Sequence, residues 1–157
     1  MLSYFLLFLS AFGAATLLPL QSEAVLAALL LKNQQSAFLL ISIATFGNVL
    51  GSCVNWWLGL KIEQFKDKKW FPVSEKRLEQ AQRFYHKYGF YSLLLSWTPV
   101  IGDPITLVAG LFKENFWRFL FMVLIAKAGR YIFIYWVITD FYLKYKHPKM
   151  LILKLFI

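Results

Sequence analysis

The feature that most constrains this chain is the run of residues 37–60, which has no ionisable side chain except Cys53. A helix of that length rises roughly 36 Å, which is enough to cross a hydrocarbon core of about 30 Å with some tilt. Hydrophobic residues make up 59% of the chain and are gathered into four apolar blocks, 1–31, 37–60, 88–112 and 116–139. The sequence therefore predicts an all-α integral membrane protein with a single membrane domain over residues 1–157.

The net charge of +9 is concentrated outside these blocks. Residues 61–87 carry eight Lys or Arg against four Asp or Glu, and residues 140–157 carry four against one. Basic residues beside membrane spans usually face the cytoplasm and attract anionic lipids, so we expect a membrane role for this charge rather than nucleic-acid binding. Within 74–87, hydrophobic residues recur near helical spacing. This pattern indicates either an amphipathic surface helix, with Trp70 and Phe71 at headgroup level, or an ordinary basic loop.

The first and third blocks are interrupted in the same way. Pro19 is followed four residues later by Glu23, and Pro99 is followed four residues later by Asp103, so the two acids lie 80 residues apart. The same shift places 37–60 over the fourth block. Each half of the chain is therefore a broken apolar segment followed by a continuous one. Corresponding interruptions in two halves indicate an inverted repeat with a transport site at the breaks.

The breaks also bear on topology. A proline removes a backbone donor, and irregular backbone at membrane depth is tolerated only inside protein or beside water. The third block divides into uncharged stretches at 88–102 and 104–112, neither long enough to span alone, which predicts a re-entrant hairpin. Two such hairpins leave two full crossings and place both termini outside. Four full crossings would instead place both termini and the 61–87 loop in the cytoplasm.

Glu23, Asp103, Lys127 and Arg130 all fall within the apolar blocks. An ionised group at the bilayer centre costs roughly 2.5–3.5 kcal/mol on insertion scales, so two acids and two bases predict mutual compensation. Lys127 and Arg130 are three residues apart and share one helix face, which could meet both breaks. The alternatives are that the two bases extend toward an interface, or that Glu23 lies in a surface loop between two shorter segments.

The second block also carries polar and small residues. Asn48 and Asn55 are seven apart, so they share a helix face and favour a polar lining. Gly47 and Gly51 indicate close helix packing, since small residues four apart let two helices approach. Helix packing alone explains Gly47 and Gly51 as well as a role beside a polar lining does.

The stretch FYSLLLSWTPVIGDPITLVAG at 90–110, together with PLQSEAVLA and FGNVLGSCVNWWLG, resembles the DedA superfamily. These are also called VTT-domain or SNARE-associated membrane proteins, and the similarity is greatest to the YqaA-like branch. The resemblance covers about residues 10–140. It implies two opposed re-entrant hairpins packed against transmembrane helices, a bacterial inner-membrane location, and the movement of lipids across the bilayer. Several characterised relatives are proposed to be proton-coupled.

On position, Glu23 matches the acid in the family's first hairpin. The second hairpin typically reads Arg-Phe-x-Pro-x-x-Arg, but Ser96 and Gly102 stand here in place of both arginines. Lys127 and Arg130 are candidates to supply the missing cation, with Arg130 as the phosphate ligand and Lys127 paired with Glu23 or Asp103. The predicted substrate or proton pathway comprises Glu23, Asn48, Asn55, Pro99, Gly102, Asp103, Pro104, Lys127 and Arg130.

Two functions from different classes follow. The favoured one is a transporter or scramblase for a phospholipid or polyprenyl-phosphate lipid, and the alternative is a non-transporting structural or assembly factor. An enzyme is not expected, because Ser96 and Thr98 have no His base beside them. No cofactor is expected, since no cofactor motif is present. The lone Cys53 and the surface-type His86 and His147 predict no metal site. The sequence leaves open whether the chain forms a homo-oligomer.

Overall fold

The computed structural model describes residues 2–16, 21–32, 35–61, 75–98 and 101–146. Within these ranges all regular structure is helical, which confirms the predicted all-α class. Pro19, Pro99, Trp70, Phe71 and the end of the basic tail from His147 lie outside the described residues. The α-helices are α1 (Leu2–Ala15), α2 (Ser22–Lys32), α3 (Ala37–Leu60), α4 (Glu75–Tyr88), α5 (Gly102–Leu111) and α6 (Phe116–Lys146), and the segment Gly89–Trp97 is a 3₁₀ helix, η1.

Among the described residues, two helices are long and apolar enough to cross a membrane. They are Ala37–Leu60 in α3 and Phe116–Tyr142 in α6, which correspond to the second and fourth apolar blocks. Large apolar side chains are exposed along α6, among them Trp117, Phe121 and Trp136, as expected for a helix that faces lipid. The helix continues past the predicted boundary at 139, and the residue before Pro148 is the next position that disfavours helical backbone.

The glycines of α3 let it pack closely against α1. A Cβ atom on Gly47 would lie 2.7 Å from the Phe8 carbonyl oxygen, and one on Gly51 would lie 2.5 Å from the Phe12 carbonyl oxygen. Both helices therefore run in the same direction with almost no space between their backbones. The small face predicted on α3 is thus a helix-packing surface.

The contacts of α6 fix the directions of the other segments. Asn48 of α3 contacts Tyr131, whereas Trp56 contacts Phe116, so α3 and α6 are antiparallel. Segment α5 runs along α3 in the same direction, since Asn55 contacts Thr106 and Gly59 packs against Gly110.

The two broken segments each fold into a pair of antiparallel elements. Along α2, contacts run from Ser22 beside Tyr131 to Leu31 beside Ile138, so α2 is parallel to α6 and opposite to α1. Along η1, contacts run from Phe90 beside Arg118 to Trp97 beside Arg130, so η1 is parallel to α6 and opposite to α5.

Residues Glu75–Tyr88 form helix α4 rather than an ordinary loop, and the location of this helix at the membrane surface stays a prediction. Ala81 and Tyr85 are buried, and the Tyr85 ring stacks on Phe112 with centroids 5.1 Å apart. The Tyr85 hydroxyl donates a hydrogen bond to Glu114. Burial and the Glu114 carboxylate both raise the pKa of Tyr85, which keeps the phenol protonated as a donor. The helix is therefore packed on the turn that precedes α6.

The backbone conformation of Gly89 separates α4 from η1. Its φ is +57°, in the left-handed region that glycine adopts without strain. Gly89 and the eight residues after it form a 3₁₀ helix rather than the α-helix that a continuous apolar block would favour. A 3₁₀ run of this length is uncommon. It leads directly to the second break.

Candidate functional site

The acids at the two breaks occupy equivalent positions in the fold. Helix α2 begins at Ser22 and α5 begins at Gly102, one residue before Glu23 and Asp103 respectively. Each carboxylate therefore lies in the first turn of a helix, where the unpaired N–H groups and the helix dipole favour negative charge. The 80-residue spacing seen in the sequence is reproduced in these helix starts.

Asp103 forms a closed ion pair with Lys127. The Lys127 Nζ atom donates to Asp103 Oδ1 at 3.0 Å, and the side chains are only 1% and 14% exposed respectively. Lys127 lies near the middle of the Phe116–Tyr142 span, so this pair is at membrane depth. The expected pairing of Lys127 with one of the two acids is observed, and the partner is Asp103.

Glu23 contacts Arg130 in a second and more open ion pair. The Arg130 Nη2 atom donates to Glu23 Oε1, and the exposed fractions are 16% for Arg130 and 33% for Glu23. Arg130, the predicted phosphate ligand, thus contacts the acid of the first break. The alternative in which both bases extend toward an interface does not fit this geometry, because each base contacts a carboxylate: Lys127 contacts Asp103 of its own half of the chain, and Arg130 contacts Glu23 of the other half.

A buried hydrogen-bond network joins these pairs to α3. The Asn48 Nδ2 atom donates to Tyr131 Oη at 3.0 Å, and Tyr131 Oη also lies 3.0 Å from Ser22 Oγ. Tyr131 is fully buried and connects the start of α2 to α3. The sequence analysis did not identify Tyr131 or Ser22, although each is adjacent to a predicted charged residue.

Asn55 connects both broken segments through one amide group. Its Nδ2 atom donates to the Ala15 carbonyl oxygen at 2.7 Å and to Thr106 Oγ1 at 3.2 Å. Thr106 Oγ1 in turn donates to the Asp103 carbonyl oxygen at 2.7 Å. Asn55 therefore links the end of α1 to the first turns of α5. Asn48 and Asn55 were predicted as a polar lining, and both lie in the protein interior at 1% exposure.

An open cavity lies between the two broken segments beside the Glu23–Arg130 pair. Its volume is about 460 Å³. Its polar lining comes from Gln21, Glu23, Thr98 and Arg130, and its apolar walls are Trp97, Phe133 and Ile134. Lys127 and Asp103 are not part of this lining. The cavity thus reaches only one of the two ion pairs. Sequence reasoning missed Trp97, Phe133 and Ile134, because aromatic and aliphatic residues in an apolar block carry no distinguishing signal.

The described residues contain no group of three or more His, Cys, Asp or Glu side chains that could hold a metal ion.

Comparisons with known proteins identify the family. Residues 18–140 match the family model for the VTT domain, which is most of the chain. The chain belongs to the VTT-domain (DedA) family. It is 40% identical over 131 residues to inner membrane protein YqaA of Escherichia coli K12, a match that covers 83% of this chain and 87% of YqaA. YqaA of Shigella flexneri matches to the same extent. An uncharacterized protein of Haemophilus influenzae is 34% identical over 144 residues, or 87% and 88% of the two chains. No solved structure matches the chain.

These relatives and the two apolar spans make this VTT-domain protein an integral protein of the bacterial inner membrane. At the second break, where the resemblance leads us to expect an arginine, Gly102 is closely packed. A Cβ atom on Gly102 would lie 2.5 Å from the Ser96 carbonyl oxygen, so no arginine fits at 102 in this conformation. Ser96 itself is fully buried. Pro104 lies in the first turn of α5, where a missing N–H leaves no helical bond unmade. Pro99 lies outside the described residues.

Proposed function

We propose that this VTT-domain protein moves a phosphate-containing lipid across the inner membrane, as a transporter or a scramblase. The observation that carries the proposal is the Glu23–Arg130 pair, which is partly exposed in an open cavity between the two broken segments. A charged pair at membrane depth is costly and usually marks a substrate or ion path. The proposal requires no covalent chemistry, so it describes a carrier rather than an enzyme.

Arg130 is the proposed ligand for the lipid phosphate. Its planar guanidinium group can donate two parallel hydrogen bonds to phosphate oxygens, which a lysine cannot do. One of these donors, Nη2, contacts Glu23 in the structure. We therefore propose that the lipid phosphate displaces Glu23 from Arg130. Proton coupling, which the resemblance implies for several relatives, stays a prediction for this exchange.

The directions of the short elements support two re-entrant hairpins of opposite sense. The pair α1 and α2 turns near Ser22, and the pair η1 and α5 turns near Gly102; both turns are close to mid-depth on α6. Under this proposal the two pairs enter from opposite faces and form an inverted repeat, with α3 and α6 as the two full crossings. The 61–87 loop is then cytoplasmic and both termini lie outside.

The test is lipid movement in vesicles that contain the purified protein. Tail-labelled fluorescent phospholipid is placed in both leaflets, and a membrane-impermeant reductant then bleaches the outer label. If the protein moves lipid, more than half of the label is bleached, because inner-leaflet lipid reaches the outer leaflet. If the protein is a structural or assembly factor, only the outer half of the label is bleached. Arg130→Gln is expected to reduce the rate to that of protein-free vesicles. Asp140→Asn, a charge change on the exposed part of α6, serves as the control that retains the rate.

Water access separates the same two functions without an activity assay. In a Cys53→Ala background, a cysteine at Thr98 should react with a membrane-impermeant thiol reagent, because Thr98 lines the open cavity. A cysteine at Thr106, which is fully buried beside Asn55, should not react. Equal protection of both positions would contradict a water-accessible path and favour the structural role.

A further inference from the structure

The charges around the cavity carry information about the lipid headgroup. The described side chains that line it include one acid and one base, Glu23 and Arg130, and no other ionisable group. The neighbouring base, Lys127, is neutralised by Asp103 and is closed off from the cavity. Ser96 and Gly102 add no charge at the second break. The cavity is therefore electrically balanced, with a cation and an anion side by side.

We infer that this cavity selects a lipid whose headgroup carries both a phosphate and a primary ammonium group, that is, an aminoalkyl phosphate such as phosphoethanolamine. Resting on the proposed function, the inference names the substrate class of the same site. In the bound state Arg130 holds the phosphate and Glu23 holds the ammonium. One ion pair within the protein is exchanged for two between protein and lipid.

Charge balance is the reason to prefer a zwitterion to an anion. A phosphomonoester or a phosphoglycerol headgroup can take Arg130, but it leaves the Glu23 carboxylate without a cation in a partly desolvated site. An uncompensated charge in such a place is strongly unfavourable. An aminoalkyl phosphate leaves neither residue unpaired. Its two charges are separated by a short linker, which suits two side chains that are in contact before the lipid enters.

The apolar walls indicate that the ligand is a lipid rather than a free headgroup. Trp97 is 46% exposed and Phe133 is 53% exposed, and both line the cavity together with Ile134. An aromatic ring can also contact an ammonium group through its face. The Glu23 carboxylate can accept hydrogen bonds from a primary ammonium group, whereas a quaternary ammonium group has no N–H to donate. We therefore expect phosphatidylethanolamine to be favoured over phosphatidylcholine.

The experiment compares tail-labelled phosphatidylethanolamine, phosphatidylcholine and phosphatidylglycerol in the vesicle assay. The expected result is that the ethanolamine lipid moves at least about tenfold faster than the glycerol lipid, the discrimination typical of one charged hydrogen bond. Phosphatidylglycerol moving as fast as phosphatidylethanolamine would overturn the inference and leave lipid transport standing. If no labelled lipid moves faster than in protein-free vesicles, the proposed function fails.

Binding is measured separately as the melting temperature of the detergent-solubilised protein with short-chain versions of the same lipids. The ethanolamine lipid should raise the melting temperature more than the glycerol lipid does, and an equal rise overturns the inference even if transport fails. Soluble O-phosphoethanolamine should protect far more weakly than the lipid, and equal protection would contradict a lipid ligand.

A charge variant gives the sharpest outcome. Glu23→Gln leaves Arg130 as the only charge in the cavity, so the preference should reverse in favour of phosphatidylglycerol. Asp140→Asn makes the same change in net charge at an exposed position of α6 outside the cavity and should retain the wild-type preference. An unchanged preference in folded Glu23→Gln protein would overturn the role of Glu23.

Discussion

Replacing Lys127 with Met tests the closed ion pair. Lys127 is 1% exposed and its ammonium group lies 3.0 Å from Asp103, which is 14% exposed. Methionine retains an unbranched apolar chain of similar reach, so the main change is the loss of the cation. Asp103 then has no ionic partner in a buried site. Removing one partner of a buried pair typically destabilises a protein by about 3–5 kcal/mol.

The expected loss can be read as a melting temperature. For a chain of this size, each 1 kcal/mol lowers the melting temperature by roughly 2–4 °C, so Lys127→Met should melt roughly 6–20 °C below wild type. The measurement is thermal unfolding of the purified protein in detergent. Arg118→Met is the control, because Arg118 is an exposed cation on the same helix and its loss leaves no buried charge.

A double-mutant cycle isolates the charge. Asp103→Asn combined with Lys127→Met leaves no charge unpaired, so the double variant should regain much of the stability that Lys127→Met loses. If the two single losses simply add, or if Lys127→Met melts within about 2 °C of wild type, the two groups are not coupled. The assignment of Lys127 to a stabilising pair would then be wrong.

Three further predictions follow from contacts outside the ion pairs. Gly110→Ala should strongly destabilise the protein, because a Cβ atom would overlap the Trp56 carbonyl oxygen. Gly129→Ala is the control, because its Cβ atom would have open space, and it should melt like wild type. Equal melting temperatures of the two variants would contradict the close packing of α3 and α5. Asn55→Ala leaves two buried groups without their donor and should cost about 1–3 kcal/mol in unfolding free energy, and no change in melting temperature would refute the link. A reporter fused after Glu114 should give a cytoplasmic signal, since this turn packs against α4, and an external signal would rule out the second hairpin.

The sequence was sufficient to predict the spans and the need for compensation. The spans of α3 and α6 follow from uninterrupted hydropathy, which depends only on local composition. That Lys127 and Arg130 must meet acids follows from the cost of an isolated charge in lipid. Which acid meets which base could not be predicted, since it depends on how deep each broken segment reaches along α6. That depth is set by packing between segments far apart in the chain.

The cavity walls and the buried tyrosine were beyond sequence reasoning for a related reason. Trp97 and Phe133 look the same in an apolar block whether they face lipid, core or a cavity. Tyr131 reads as one more aromatic residue on a lipid-facing helix, but it is fully buried and holds Ser22 and Asn48. Whether an aromatic residue of α6 faces lipid, the core or the cavity depends on the rotation of the helix about its axis, which the neighbouring segments determine. Periodicity fixes a face of the helix but not its partner.

The two ion pairs differ in exposure, and we infer that they have different roles. Each pair joins the start of a short helix to α6, so either could have been the exchange point. Opening an ion pair without a replacement partner would leave two separated charges in a desolvated site, which is strongly unfavourable. Only Glu23 and Arg130 have a cavity beside them that can admit a replacement. The Lys127–Asp103 pair lacks one among the described cavities, so it holds α5 against α6 while the other pair exchanges partners. Loss of the closed pair should therefore be seen first in stability, and loss of the open pair first in lipid selection.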